Sequence, residues 1–148
     1  MNIAGLPLHV LVVHAAVVFG PLSALTALAY VALPKYRDLL RWPTLVAVLI
    51  ATATIWLAYI SGDSFYDSAR FANVSGELEE NIDKHEDLAG TLRWVTTAFA
   101  IVTVAATTLH DRTGPTRVVL NVLVAIFAVA TLVYVALTGD AGARSVWG

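Results

Sequence analysis

The chain contains no cysteine. Disulfides, iron–sulfur ligation by thiolate and covalent attachment of a c-type haem are therefore excluded for this chain by itself. Charge is scarce too. Asp, Glu, Lys and Arg make up 14% of the 148 residues, against about 25% in an ordinary soluble domain. The net charge of −2 argues against nucleic acid as a partner, which calls for a basic surface. Nucleophile-elbow, phosphate-loop and zinc-protease spacings are all missing, so nothing points to a hydrolase. A channel or transporter is poorly supported as well, because the apolar runs lack a chain of buried charges.

What the chain has in abundance is hydrocarbon. Apolar residues make up 58% of it, and the mean hydropathy is +0.74. Four charge-poor runs stand out, at residues 8–33, 43–60, 88–109 and 118–137. Each is close to the roughly 20 residues that cross a bilayer core of about 30 Å. Spanning segments must satisfy their own backbone hydrogen bonds, so the four runs are predicted to be helices. The expected fold is all-α: one domain over residues 1–148, a four-helix transmembrane up-down bundle in contact with the lipid bilayer. The first run is expected to remain a span rather than act as a signal peptide. No Lys or Arg precedes it, and it exceeds the 7–15 apolar residues typical of one.

Local signals divide the chain. Pro7 suits the first turn of helix 1, and Gly20-Pro21 is expected to kink that helix. "LPKYRDLLRWP" (33–43) and "HDRTGPTR" (110–117) are short connections, so each joined pair should be antiparallel neighbours. The connection 61–87 is long and acidic, with Asp63, Asp67, Glu77, Glu79, Glu80, Asp83, Glu86 and Asp87. Its last part, 77–87, has few breakers and is expected to extend helix 3. The short connections carry Lys35, Arg37, Arg41, Arg112 and Arg117, against Arg70, Lys84 and Arg144 on the other side. The positive-inside rule then places the short connections in the cytoplasm and both termini outside. Trp42, Trp56, Trp94 and Trp147 are expected interface anchors, and the Thr and Ala residues of helix 3 favour close packing.

A weak repeat runs through the chain. Helix 2 ends in "ISGDS" and helix 4 in "LTGDA", and each follows a helix with a histidine near its outer end, His14 and His85. A duplicated hairpin explains the pattern, and coincidence competes with it.

The residues that bear chemistry gather at one end. His9, His14, Asp63, His85, Glu86 and Asp140 all fall at or near the outer face, and only His110 lies at the other. His14 sits among apolar residues, inside the span, where an ionisable group is by default a functional hypothesis. His9 is five residues earlier, about 140° around the helix, and is read as a capping or surface residue. His85 shares a face with Leu88, Ala89 and Leu92. In an up-down bundle helices 1 and 3 are parallel and diagonal, so His14 and His85 are expected to oppose each other across the core. Two opposed imidazoles suit a flat macrocycle with axial ligation from both sides. Asp63 with the two histidines gives a Zn or Cu alternative. Arg93 is expected either to snorkel and pair with Glu86 or to hold an anionic group, such as a cofactor carboxylate or a lipid headgroup.

"GLPLHVLVVH" before a long span, "HEDLAG" opening a third span and a closing "GDAGARSVWG" together resemble a bacterial four-helix membrane domain of unknown function. The resemblance covers nearly the whole chain. Members of that family stand alone or beside Rieske-type or cytochrome modules, which implies an electron-transfer setting in the bacterial cytoplasmic membrane. The family's histidines match His9, His14 and His85, while its prolines after the first two are replaced here by Val10 and Ala16. The expected function is a small membrane redox subunit binding b-type haem through His14 and His85, with Arg93 near the propionates. Its expected partners are other membrane or electron-transfer subunits, or further copies of itself. The rival is a non-catalytic structural or assembly subunit of a larger membrane complex.

Overall fold

A computed structural model describes residues 2–3, 6–66 and 75–147; the side chains of 2–3, 6–7, 63, 65–66 and 146–147 lie outside it. It is a bundle of four helices: α1 (Leu8–Ala32), α2 (Arg37–Tyr66), α3 (Glu77–Thr108) and α4 (Pro115–Trp147). All four are long and apolar enough to cross a membrane. A short antiparallel ladder pairs Asn2 with Pro7 and Ile3 with Leu6 ahead of α1, so Pro7 stands just before the helix rather than in its first turn. α1 runs unbroken through Pro21. α2 begins six residues before Pro43, so this proline stands in the second turn and withdraws one intrahelical donor, the bond its N–H would have made to Leu39 O. As expected, 77–87 is the first part of α3. Gly76 (φ +71°) and Gly114 (φ +67°) turn the chain into α3 and α4, a left-handed conformation that costs glycine little.

α1 packs mainly on α2, and α3 on α4; α2–α3 and α1–α4 contacts close the ring. Association in lipid gains little from hydrophobicity, so it depends on close packing and on polar contacts. The interior is accordingly lined with small residues: Ala24, Ala27, Ala47, Ala51, Ala100, Ala106 and Ala128 are all buried. At Gly20 even a Cβ would stand 2.9 Å from Val135 Cγ2. The outward faces are apolar, with Val18, Leu25, Leu39, Ile101 and Val118 among the most exposed side chains. Such a belt suits lipid and would be unusual in water.

Two buried threonines turn their hydroxyls onto their own helix, Thr96 onto Leu92 O and Thr107 onto Thr103 O. Thr44 and Thr52 instead reach the carbonyls of Thr26 and Thr96 on neighbouring helices.

A polar cluster locks the end with the short connections. The Tyr30 hydroxyl (α1) donates to Ala106 O (α3) at 3.0 Å and accepts from Arg37 Nη2 (α2) at 3.2 Å. It also lies 3.0 Å from Nδ1 of His110, whose Nε2 is 2.6 Å from Asp38 Oδ1. Arg37 Nη2 further donates to Asn121 Oδ1 (α4) at 3.3 Å. Tyr30, Arg37 and His110 are buried, so the cluster joins all four helices where little water reaches. Removing one partner leaves the others desolvated and unpaired. Tyr30→Phe should therefore lower the unfolding free energy by about 1–3 kcal/mol, measured by reversible denaturation in mixed micelles. A change within error would show that the cluster is dispensable.

Candidate functional site at the N-terminal end of the bundle

His9 lies in the first turn of α1. Ala27, at the centre of the helix's buried face, follows it by eighteen residues, which is five full turns at about 3.6 residues each. His85 stands in the same relation to the buried Thr103 of α3. Both imidazoles consequently face the bundle.

Each reaches the next helix of its own hairpin. His9 Nδ1 is 2.9 Å from Ala58 O on α2, and His85 Nδ1 is 2.9 Å from Thr138 O on α4. A carbonyl can only accept, so both rings donate Nδ1–H, and the basic lone pair of each resides on Nε2. Both sites place a glycine one turn beyond the accepting carbonyl. A Cβ on Gly62 would lie 3.3 Å from His9 Cε1, and one on Gly142 3.0 Å from His85 Cε1 and Nδ1. The ring centres of His9 and His85 are 6.5 Å apart, with planes at 84°.

The two hairpins therefore repeat a unit of histidine, accepting carbonyl and bare glycine. Ala58 and Thr138 are 80 positions apart, and so are Gly62 and Gly142. This unit pairs other residues than the repeat read in the sequence. The counterpart of Gly62 is Gly142, whereas Gly139 of "LTGDA" has nothing near the position of its missing Cβ.

The histidine opposite His85 is His9, not His14. His14 is exposed on the outer surface of α1, and its Nδ1 lies 2.6 Å from Val10 O of the same helix. It stands about 140° from the Ala27 direction, which turns it away from the core. Asp140, also near the outer face, pairs with Arg144 in an exposed contact of 2.9 Å; the acceptors of the imidazoles are backbone carbonyls. The side chain of Asp63 lies outside the described residues. Among the described residues, no group of three or more His, Asp or Glu side chains is placed to hold a metal ion. Comparison with protein-family models, with curated proteins and with solved structures yields no match to this chain.

Arg93 does not pair with Glu86. Its guanidinium lies 3.8 Å from the ring centre of Tyr59, with Trp56 at 5.2 Å and Trp94 at 5.5 Å, and among the described residues no carboxylate is within 4.0 Å of it. The aromatic faces of α2 attract the cation more closely than the exposed Glu86 does. Trp56 is itself held by a bond from Nε1 to Thr97 Oγ1 at 2.9 Å, so this tryptophan fixes a helix pair.

The cluster of Tyr30, Arg37, Asp38, His110 and Asn121 went unread in the sequence, where His110 stood only as the odd histidine at the far end. Asn121 was the available signal, a lone amide in an otherwise apolar run.

The glycines generate a prediction. Gly142→Ala should displace the His85 ring and lower the melting temperature more than Gly62→Ala, because the clearance is 3.0 Å against 3.3 Å. Thermal unfolding of both variants in the same detergent tests this, and equal stabilities would refute it.

Proposed function

We propose that this chain is a small integral membrane redox subunit in which His9 of α1 and His85 of α3 would hold a b-type haem. The observation that carries this reading is the pair of Nδ1-anchored imidazoles on diagonal helices, 6.5 Å between ring centres. An imidazole nitrogen stands about 2 Å from a bound metal, so two trans imidazoles have centres about 6 Å apart. Two ligands suffice for haem iron, whereas structural zinc takes four and catalytic zinc three. That favours haem over the Zn or Cu alternative with Asp63.

When bound, the haem supplies a one-electron couple. The chain's residues supply the rest. Ala58 O and Thr138 O fix both tautomers, the kind of outer support that orients ligating histidines and raises their basicity. Gly62 and Gly142 leave room for the rings, and the apolar walls lower the local dielectric. Arg93 faces the aromatic groove, so a role beside the propionates has no support from its position.

A structural or assembly subunit is the second reading. It is favoured by the same two bonds, since His9 and His85 already fasten helix to helix without any cofactor. The absorption spectrum of protein purified from haem-replete cells, before and after dithionite, separates the two. The redox reading expects a six-coordinate low-spin spectrum that is lost in His9→Ala and in His85→Ala and retained in His14→Ala and His110→Ala. A colourless preparation would leave the structural reading.

The resemblance and the Lys/Arg distribution support a bacterial cytoplasmic membrane location, with the short connections inside and both termini outside. An electron carrier of this size needs a donor and an acceptor, which makes electron-transfer subunits or further copies of the chain its natural partners. With no native cysteine, a Ser75→Cys variant should react with an impermeant thiol reagent in intact cells, and a Thr113→Cys variant should not. The reverse pattern would invert the topology.

A further inference from the structure

Arg93 lines a groove of about 590 Å³ beside α3, together with Tyr59, Glu86, Asp87, Trp94 and Phe127. We infer that this groove binds the headgroup of a phospholipid bearing both a phosphodiester and a primary ammonium, as phosphatidylethanolamine does.

The argument begins with the cation. Three aromatic rings hold the guanidinium in place. Its Nε is buried with no hydrogen-bond partner, and among the described residues no carboxylate neutralises the group. A fixed, planar, unpaired guanidinium suits a phosphate, which it can grip with two parallel donors. Trp94 is exposed beside it, in the amphipathic role tryptophan takes at headgroup depth.

The order of charges then selects the lipid. Glu86 and Asp87 precede Arg93 by seven and six residues, about 10 Å along α3 at about 1.5 Å per residue. Helical side chains lean toward the N-terminus, which brings the guanidinium toward them without closing an ion pair. Both carboxylates are exposed and lie nearer the end of the helix, so the groove presents a cation toward the hydrocarbon and anions toward the water. A purely anionic headgroup would meet repulsion at Glu86 and Asp87. A zwitterion matches both, with its phosphate on Arg93 and its ammonium at the carboxylates. The ammonium also brings N–H donors, which a quaternary amine lacks. The inference stands apart from any haem, because none of these residues touches His9 or His85 in a described contact.

Native mass spectrometry of the full chain, released from vesicles of phosphatidylethanolamine and phosphatidylglycerol, tests it. Retained phosphatidylethanolamine should exceed phosphatidylglycerol about tenfold, the worth of one lost charge-assisted contact. Arg93→Ala should abolish retention of both lipids. Arg93→Lys, which keeps the charge should the alanine variant fail to fold, should weaken both. The double variant Glu86→Gln with Asp87→Asn should erase the preference while leaving phosphatidylglycerol bound. Replacing phosphatidylethanolamine with phosphatidylcholine should reduce retention. Equal retention of the two lipids by wild type, or an unchanged preference in the double variant, would overturn the inference. So would displacement of both lipids by millimolar inorganic phosphate, which would mark a simple anion site.

Discussion

Inside a bilayer there is no water to bond a polar group, and the backbone of this structure answers to that constraint. The backbone closes on itself in four helices. Thr96 and Thr107 turn onto carbonyls of their own helix, and the imidazoles of His9 and His85 turn onto those of the adjoining helix. Such bonds are modest, about 1 kcal/mol or less each in membrane proteins, so close packing must do most of the holding. That is why alanines line the interior and why α1 passes α4 at Gly20 with no space for a Cβ.

The polar groups fall into two tiers with different characters. At the end with the short connections, phenol, guanidinium, imidazole, carboxylate and amide bond to one another and leave little capacity for a ligand. At the N-terminal end, each imidazole spends one nitrogen on a carbonyl, and two such rings stand near each other on diagonal helices. The first tier is a side-chain network, and the second is a pair of helix-to-helix bonds onto carbonyls. Burial alone does not separate them; the difference lies in what each ring is bonded to, side chains at His110 and backbone carbonyls at His9 and His85.

Much of this was legible in the sequence. Four charge-poor runs of spanning length dictate four helices, and the breaker-poor stretch 77–87 dictates the extension of α3. The site was half legible: His85 could be placed on an inward face. His14 could not be placed correctly, because apolar flanks describe the face toward lipid as well as the face toward the core. The discriminating signal was the stripe of small residues Gly20, Ser23, Ala24 and Ala27, which fixes the packed side of α1 and carries it back to His9. The pairing of Tyr30 with His110 joins residues 80 positions apart and leaves no periodic trace. The stacking of Arg93 on Tyr59 was hidden for another reason. A nearby carboxylate in sequence is a poor guide to the partner of an arginine when an aromatic ring on another helix is closer.

The repeated unit of histidine, carbonyl and glycine gives each hairpin one imidazole held in the same way. Each hairpin contributes one ring and supports it wholly from within, His9 by α2 and His85 by α4. Neither half borrows its second-helix acceptor from the other. A single hairpin of this design, paired with its own copy through an isologous interface, would assemble the same two-ring arrangement from one histidine per chain. The likeness stops at the short-connection end: Tyr30 has no aromatic counterpart at Ala106, the residue whose carbonyl accepts its hydroxyl.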